Sequence, residues 1–266
     1  MSGVPDPFWS GLRWADIAAV VGAFAWLPHI VNYFRRPKVT LIPGGKIEVG
    51  FTGLGPIFNP SLAFRTQRRD ALVTGVRFAV RHERGQTAEF QCTQLSEQSG
   101  VTRFVSGDAA VHQRIHAAIA AVVTTSAIVE RIVVCQERRV LDRMDTLMVA
   151  YETAVRHALA ANPQPWPEQI VQSAESNALR DFWIESFFWQ AGTYSVTAFA
   201  TVAELRIPVK LDFSFALSEA QVELLRGNRA YLELELRRIG GAPNVQDTTK
   251  LWQWIYPITK TSPLPN

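Results

Sequence analysis

The pattern of apolar and polar residues changes sharply near residue 38. Residues 15–34 form a long apolar stretch, whereas the sequence from residue 39 onward alternates with a period of two. Twenty residues in a helix extend about 30 Å, the hydrocarbon thickness of a bilayer. The stretch therefore predicts one transmembrane helix at 15–34, preceded by a short N-terminal flank at 1–14.

Aromatic and basic side chains lie close to both ends of this predicted helix. Such residues favour the boundary between hydrocarbon and headgroups. The membrane-anchor residues that we predict are Trp14, Trp26, Tyr33, Arg35, Arg36 and Lys38. The fully apolar run, 17–27, is only eleven residues long. A helix that lies at the interface or in a soluble core is therefore the alternative.

The charges around the stretch predict its orientation. Three cations follow it and one precedes it, so the positive-inside rule places the C-terminal part in the cytoplasm. The predicted localisation is the cytoplasmic membrane, crossed once. Cys92 and Cys135 are the only cysteines. We expect free thiols in a cytoplasmic domain, and a disulfide bond between them would argue for the opposite topology.

Alternation of apolar and polar residues predicts a mainly β domain after the apolar stretch. Pro43-Gly44-Gly45 predicts a hairpin turn between strands at 39–41 and 46–51. Residues 71–83 alternate as a half-buried strand, with 86–94 as its hairpin partner. The remaining predicted strands are at 117–124, 128–135, 192–199, 205–217 and 231–236.

Between two of these strands the apolar period changes to 3.6 residues. It predicts one helix from 139 to about 160 and a second from 167 to about 179. Many short strands favour an antiparallel β-sandwich, immunoglobulin-like in general architecture, with the helices inserted. The predicted organisation is a first sandwich part at 38–138, a helical insertion at 139–190, a second sandwich part at 191–240 and a C-terminal tail at 241–266.

His112 and His116 are the weak candidates for a metal site. They are spaced four residues apart in HQRIH, and on a helix that spacing allows both imidazoles to bind one ion. Gln113, however, stands where a zinc peptidase has its glutamate base, and strands predicted nearby argue against a helix. Histidines on a loop or on the surface are the main interpretation. No serine-nucleophile elbow or phosphate loop is present, so we predict no catalytic residues and no cofactor.

The densest aromatic cluster is FWIESFFW at 182–189. One interpretation is a core cluster, because large rings dominate core burial. The other is an exposed anchor that docks on a partner or on the membrane surface. The candidate interaction residues in this second interpretation are Phe182, Trp183, Phe187 and Trp189.

Together these patterns predict a membrane-anchored, non-enzymatic interaction or accessory protein of a membrane complex. Its expected partners are the lipid bilayer and other proteins of that complex. Ala18 and Gly22 have the small-residue spacing that permits helix pairing and thus a homo-oligomer. A net charge of +3 gives no footprint for nucleic acid. Two alternatives stay open: a membrane-surface hydrolase or metal-dependent enzyme, and an effector that senses a ligand or lipid.

Overall fold

The strands form one curled antiparallel sheet, a half-barrel, with helices packed against it. The computed structural model describes residues 22–27, 30–31, 36–103, 109–116, 120–161, 168–243, 245 and 251–261. The strands in these ranges are β1 (Lys38–Thr52), β2 (Gly55–Gln67), β3 (Ala71–His82), β4 (Thr87–Arg103), β5 (Ala109–His116), β6 (Ala121–Val123), β7 (Val129–Glu137), β8 (Gly192–Val202), β9 (Val209–Leu217), β10 (Trp254–Ile255) and β11 (Lys260–Thr261). Their order is β10-β1-β2-β7-β4-β3-β8-β9-β11, with β5 paired to β4 and β6 to β3.

Most of the helical structure lies between β7 and β8 and after β9. The helices are α1 (Arg138–Ala161), α2 (Ala174–Glu185), α3 (Glu219–Gly227) and α4 (Leu232–Ile239), with 3-10 turns at Glu168–Gln172 and Asn228–Tyr231. Residues 22–27, 30 and 31 are also helical. The side chains of Val140, Met144, Tyr151 and Val155 form the buried stripe of α1, as its period predicts.

The immunoglobulin-like sandwich is not confirmed, because all eleven strands belong to one sheet. A sandwich core requires a second sheet facing the first. Here the facing layer is made by aromatic side chains, since Trp189, between α2 and β8, stacks on Phe90 of β4 with ring centroids 5.8 Å apart. Bulges in β1 and β4 interrupt the register of these long strands. Bulges of this kind bend a strand and increase its twist, so the sheet curls around the aromatic layer.

Pro43-Gly44-Gly45 does not form the predicted hairpin turn. It is a bulge inside β1, because this strand pairs with β2 on both sides of it and the register shifts between Pro43 and Ile47. Gly45 has a φ of +78°, which glycine adopts without steric cost. The chain therefore keeps its direction through the bulge, at the place where the sequence pattern predicted a turn.

The predicted closing strand at 231–236 is wrong, since residues 232–239 form α4. Leu232 and Leu236 are both buried and lie one helical turn apart. The alternation in LELEL satisfies this i, i+4 spacing as well as the period of a strand. Leu, Glu and Arg are also strong helix formers, so propensity decides between two equally good patterns.

The sheet edges are joined by the C-terminal segment, residues 251–261. Its β10 pairs with β1 through Val49 and Ile255, and its β11 pairs with β9 through Ser214 and Lys260. A bridge between Lys46 and Ile258 lies between these two pairings. The segment predicted as a tail therefore covers both edges of the half-barrel, which would otherwise expose unpaired backbone groups.

Asn228 fixes this segment to the rest of the fold, and its loss is our first prediction. The side chain is fully buried; its Nδ2 donates to the carbonyls of Phe51 and Gln253, and its Oδ1 accepts from the Gln253 N–H at 2.8 Å. Asn228→Leu leaves these buried backbone groups unpaired. We expect the free energy of unfolding to fall by about 3 kcal/mol, measured by urea denaturation. The matched control, Asn177→Leu on an exposed site, should cost about 0.5 kcal/mol. Equal costs for the two variants would contradict this role.

Candidate functional site

Only part of the predicted membrane anchor lies within the described residues. Trp14, Tyr33 and Arg35 fall outside them, as does most of the 15–34 stretch. Trp26 is 68 % exposed, and Arg36 and Lys38 are exposed as well. No helix in the described ranges has both the length and the apolar character needed to span a bilayer. The exposed apolar side chains of the helical residues are Phe24, Trp26, Leu27, Ile30 and Val31.

The aromatic cluster at 182–189 lies in the core. Phe182, Trp183 and Trp189 are buried, and Phe187 is partly buried against the same core. The Trp183 Nε1 donates to the Gly53 carbonyl at 2.7 Å, so even its polar atom is used inside the domain. These residues therefore hold the helices on the sheet, and in this conformation they offer no exposed docking anchor.

His112 and His116 both lie on β5, opposite Gly100 and Leu95 of β4. Four residues along a strand separate two Cα atoms by about 13 Å. On a helix the same spacing would be about 6 Å. The metal hypothesis depended on the helical spacing, so these two residues do not have the geometry that it required.

The two cysteines are joined by a disulfide bond, so the expected free thiols are wrong. Cys92 on β4 and Cys135 on β7 are direct cross-strand partners. Each is buried, with an exposed fraction of 1 % or less. Disulfides form and persist in oxidising compartments and are rare in the cytosol. A bond between these two cysteines is what we expect of the topology opposite to the one that the flanking charges predict.

The most distinctive polar site is a cleft of about 660 Å³ on the convex face of the sheet. This face is opposite the core, because Ile47, Phe58, Val133 and Cys135 point to the other side. Polar side chains cross four neighbouring strands here. The cleft residues that matter below are Glu48 on β1, Asn59 and Ser61 on β2, Glu130 on β7, Ser96 on β4 and Tyr256 in the C-terminal segment.

The register of the strands places these side chains on one face. Glu48 is directly opposite Asn59, and Ser61 is directly opposite Ile132. Ile132 in turn is opposite Ser96. Residues directly opposite one another project from the same side of a sheet. The cleft floor is therefore a row of side chains across β1, β2, β7 and β4 that is polar except at Ile132.

Neutral donors hold the two carboxylates of the cleft in place. The Asn59 Nδ2 donates to Glu48 Oε2 at 3.3 Å, and the Ser61 Oγ donates to Glu130 Oε1 at 2.8 Å. Asn59 is itself fixed, because its Oδ1 accepts from the buried Cys135 N–H. Each carboxylate thus accepts a hydrogen bond from a neutral side chain and lines the cleft.

Gly44 explains why the β1 bulge is needed at this site. A Cβ placed on Gly44 would collide with the Ser61 Oγ and would approach Glu130 Oε1 to 3.0 Å. Only glycine leaves room for the hydrogen bond between these two side chains. The bulge that replaces the predicted turn therefore belongs to the construction of the cleft.

Tyr256 forms part of the cleft rim and is 59 % exposed. Burial of its hydroxyl raises the pKa of Tyr256, and the charge on Glu48 raises that pKa further. The phenol is therefore neutral at physiological pH and is available as a hydrogen-bond donor or acceptor. Its ring adds an apolar surface beside the two carboxylates.

A second cleft of about 640 Å³ lies between α1, α2 and the β3–β4 turn. Its most buried charge, Glu137, is already satisfied, because Oε1 accepts from Arg139 and Oε2 accepts from the Val140 N–H. This carboxylate caps the start of α1. The buried carboxylate of the second cleft therefore has a structural role as a helix cap, whereas the carboxylates of the first cleft cap no helix.

Sequence reasoning missed the first cleft, because its residues come from strands far apart in the chain. One local signal was available. Asn59 interrupts the apolar stretch of β2 and is only 7 % exposed, and buried amides require specific partners. Within the described residues no group of three or more His, Cys, Asp or Glu side chains is placed to hold a metal ion.

No protein-family model, no curated protein and no solved structure is significantly similar to this chain.

Proposed function

We propose that this chain is a membrane-anchored, non-enzymatic interaction module that serves as an accessory protein of a membrane complex. The observation that supports it most is the apolar surface of the N-terminal helical residues. Phe24, Leu27 and Ile30 are 64 %, 52 % and 51 % exposed. Burying a large apolar side chain stabilises by about 1.5–3 kcal/mol. Inserting this surface into a bilayer is therefore favourable.

The charge pattern around this segment supports the bilayer as its occupant. Arg35, Arg36 and Lys38 follow the apolar stretch directly, where cations contact headgroups. The orientation we propose places the β domain on the oxidising side of the membrane. The disulfide between Cys92 and Cys135 supports it, whereas the opposite orientation rests on a difference of two charges.

Membrane fractionation tests the anchor and gives our second prediction. We expect the full chain to stay in the membrane pellet after an alkaline carbonate wash. Leu27→Lys combined with Ile30→Lys should release it, because each lysine in the bilayer costs up to about 3 kcal/mol. The matched control replaces two exposed apolar residues of the β domain, Val122→Lys with Ile207→Lys, and should stay in the pellet. If the wild-type protein were released into the carbonate wash, that result would contradict the proposed membrane anchor.

The accessory role is tested separately on gently solubilised native membranes. Native electrophoresis should show the chain in an assembly larger than one copy. The assembly should contain other membrane proteins. A chain that migrates alone would contradict the accessory role while leaving the anchor intact.

The convex cleft favours a second candidate function, an effector that senses a ligand. Its two carboxylates are held by neutral donors and not by ion-pair partners within the described part of the chain. In this function, ligand binding at the cleft would be communicated through the C-terminal segment, because Tyr256 and Ile258 belong to both structures.

A further inference from the structure

We propose that the convex cleft is a binding site for a neutral, polyhydroxylated ligand of the saccharide class. This inference goes beyond the membrane-anchored role and does not depend on it. It rests on hydrogen-bonding groups of the cleft, on the presence of charges of both signs there and on the aromatic ring at its rim.

The first argument is a buried hydroxyl without a partner. Ser96 is 4 % exposed, and its Oγ has no hydrogen-bond partner among the described residues. An unpaired buried hydroxyl costs about 1–3 kcal/mol. Ser96 lines the cleft and projects from the same face as Ser61 and Ile132. A ligand hydroxyl is the group that would satisfy it.

The second argument is that the cleft carboxylates have no ion-pair partner in the described part of the chain. Glu48 and Glu130 are held only by an amide and a hydroxyl. Each therefore presents a strong acceptor to the cleft. Charge-assisted hydrogen bonds to such oxygens are roughly twice as strong as neutral ones. Ligand groups that donate hydrogen bonds are thus favoured.

The third argument concerns charge. Lys46 lines the same cleft as the two glutamates, so charges of both signs meet there. An ammonium ligand would be repelled by the lysine, and a phosphate would be repelled by the carboxylates. A hydroxyl both donates to a carboxylate and accepts from an ammonium. A ligand rich in hydroxyls therefore matches this mixture better than an ion of either sign.

The fourth argument is the shape of the cleft. Its volume of about 660 Å³ lies within the range of small-molecule sites, roughly 300–1,000 Å³. The exposed ring of Tyr256 offers an apolar face at the rim. A sugar ring has polar edges and an apolar face of C–H groups, so it can lie against this tyrosine while its hydroxyls reach the floor.

Binding to four disaccharides tests this proposal and is our third prediction. The probes are cellobiose, N,N′-diacetylchitobiose, maltose and lactose, offered at millimolar concentration to the full chain in detergent and followed by saturation-transfer NMR. We expect at least one to bind. Glu130→Gln and Tyr256→Ala should each weaken that binding at least tenfold. The matched control is Glu152→Gln, an exposed carboxylate on α1, and it should bind as the wild type does.

Ser96→Ala separates a binding role from a structural one. Removing an unpaired hydroxyl should leave the midpoint of thermal unfolding unchanged or raise it, while the affinity for the same disaccharide falls about tenfold. Three results would overturn the proposal. They are no binding of any probe to the folded chain, binding that survives all three cleft substitutions, and cleft binding of spermidine or inorganic phosphate in place of the sugars.

Discussion

Trp189→Ala is expected to lower the free energy of unfolding by about 4 kcal/mol or more, which is the largest effect of any single substitution proposed for this chain. Trp189 is fully buried, and its ring stacks on Phe90 with an angle of 15° between the ring planes. It also contacts Phe58, Phe215 and Tyr194. Removing a core tryptophan costs about 3–5 kcal/mol, and this one also makes a hydrogen bond. Urea denaturation followed by circular dichroism measures the change.

A conservative variant separates the two parts of this effect. The Trp189 Nε1 donates to the Gly50 carbonyl at 2.8 Å. Trp189→Phe keeps most of the ring packing but leaves that buried carbonyl unpaired, so we expect a loss of about 1–3 kcal/mol. Tyr256→Ala, which removes an exposed ring, is the control and should change stability by about 0.5 kcal/mol. A Trp189→Ala variant as stable as this control would show that the aromatic layer does not hold the sheet.

Reduction of the disulfide should cost about 4 kcal/mol of stability. Cys92 and Cys135 are 43 residues apart. In the chain-entropy model, a cross-link that closes a loop of this length stabilises by about 4 kcal/mol, because it restricts the unfolded chain. Urea denaturation with and without a reductant measures this difference. The double variant Cys92→Ala and Cys135→Ala is the control, since its stability should not respond to the reductant.

Thiol labelling tests the same bond without unfolding curves. Denatured but unreduced protein, taken directly from cells, should not react with iodoacetamide, and reduced protein should gain two labels by mass spectrometry. Two labels without reduction would contradict the disulfide. That result would also remove the main support for an oxidising compartment and would favour the cytoplasmic orientation.

Local patterns predicted the elements whose partners lie close in the sequence. The strand at 71–83 and its return at 86–94 correspond to β3 and the start of β4. The helix at 139–160 corresponds to α1. Each of these features depends on residues within about one turn or one hairpin of each other, so the sequence carries the information directly.

Features that depend on distant pairing could not be predicted in this way. Whether strands form one curled sheet or two facing sheets depends on bulges such as the one at Gly44 and Gly45, and a turn has the same residue signature. The predicted tail became β10 and β11 because its partners, β1 and β9, lie far earlier in the chain. LELEL fits a helix and a strand equally well, so periodicity alone could not assign it.

The candidate cleft could not be predicted from the sequence either, because it also depends on pairing between distant residues. Glu48, Ser61 and Glu130 come from three strands, and no spacing along the chain brings them together. His112 and His116 show the reverse case. Their spacing is conspicuous in the sequence, but the strand that carries them separates their backbones. The spacing of two residues in the sequence indicates a shared binding site only where the local secondary structure is already known.

The pairing of Lys46 with Ile258 also sets when this domain can finish folding. During synthesis β1 is made long before its partners at 254–258, and its outer edge stays unpaired until these residues leave the ribosome. Contacts between such distant residues are slow to form, because closing the loop must precede any gain from pairing. We expect the nascent chain to expose an aggregation-prone edge of β1 until residues 254–258 can pair with it.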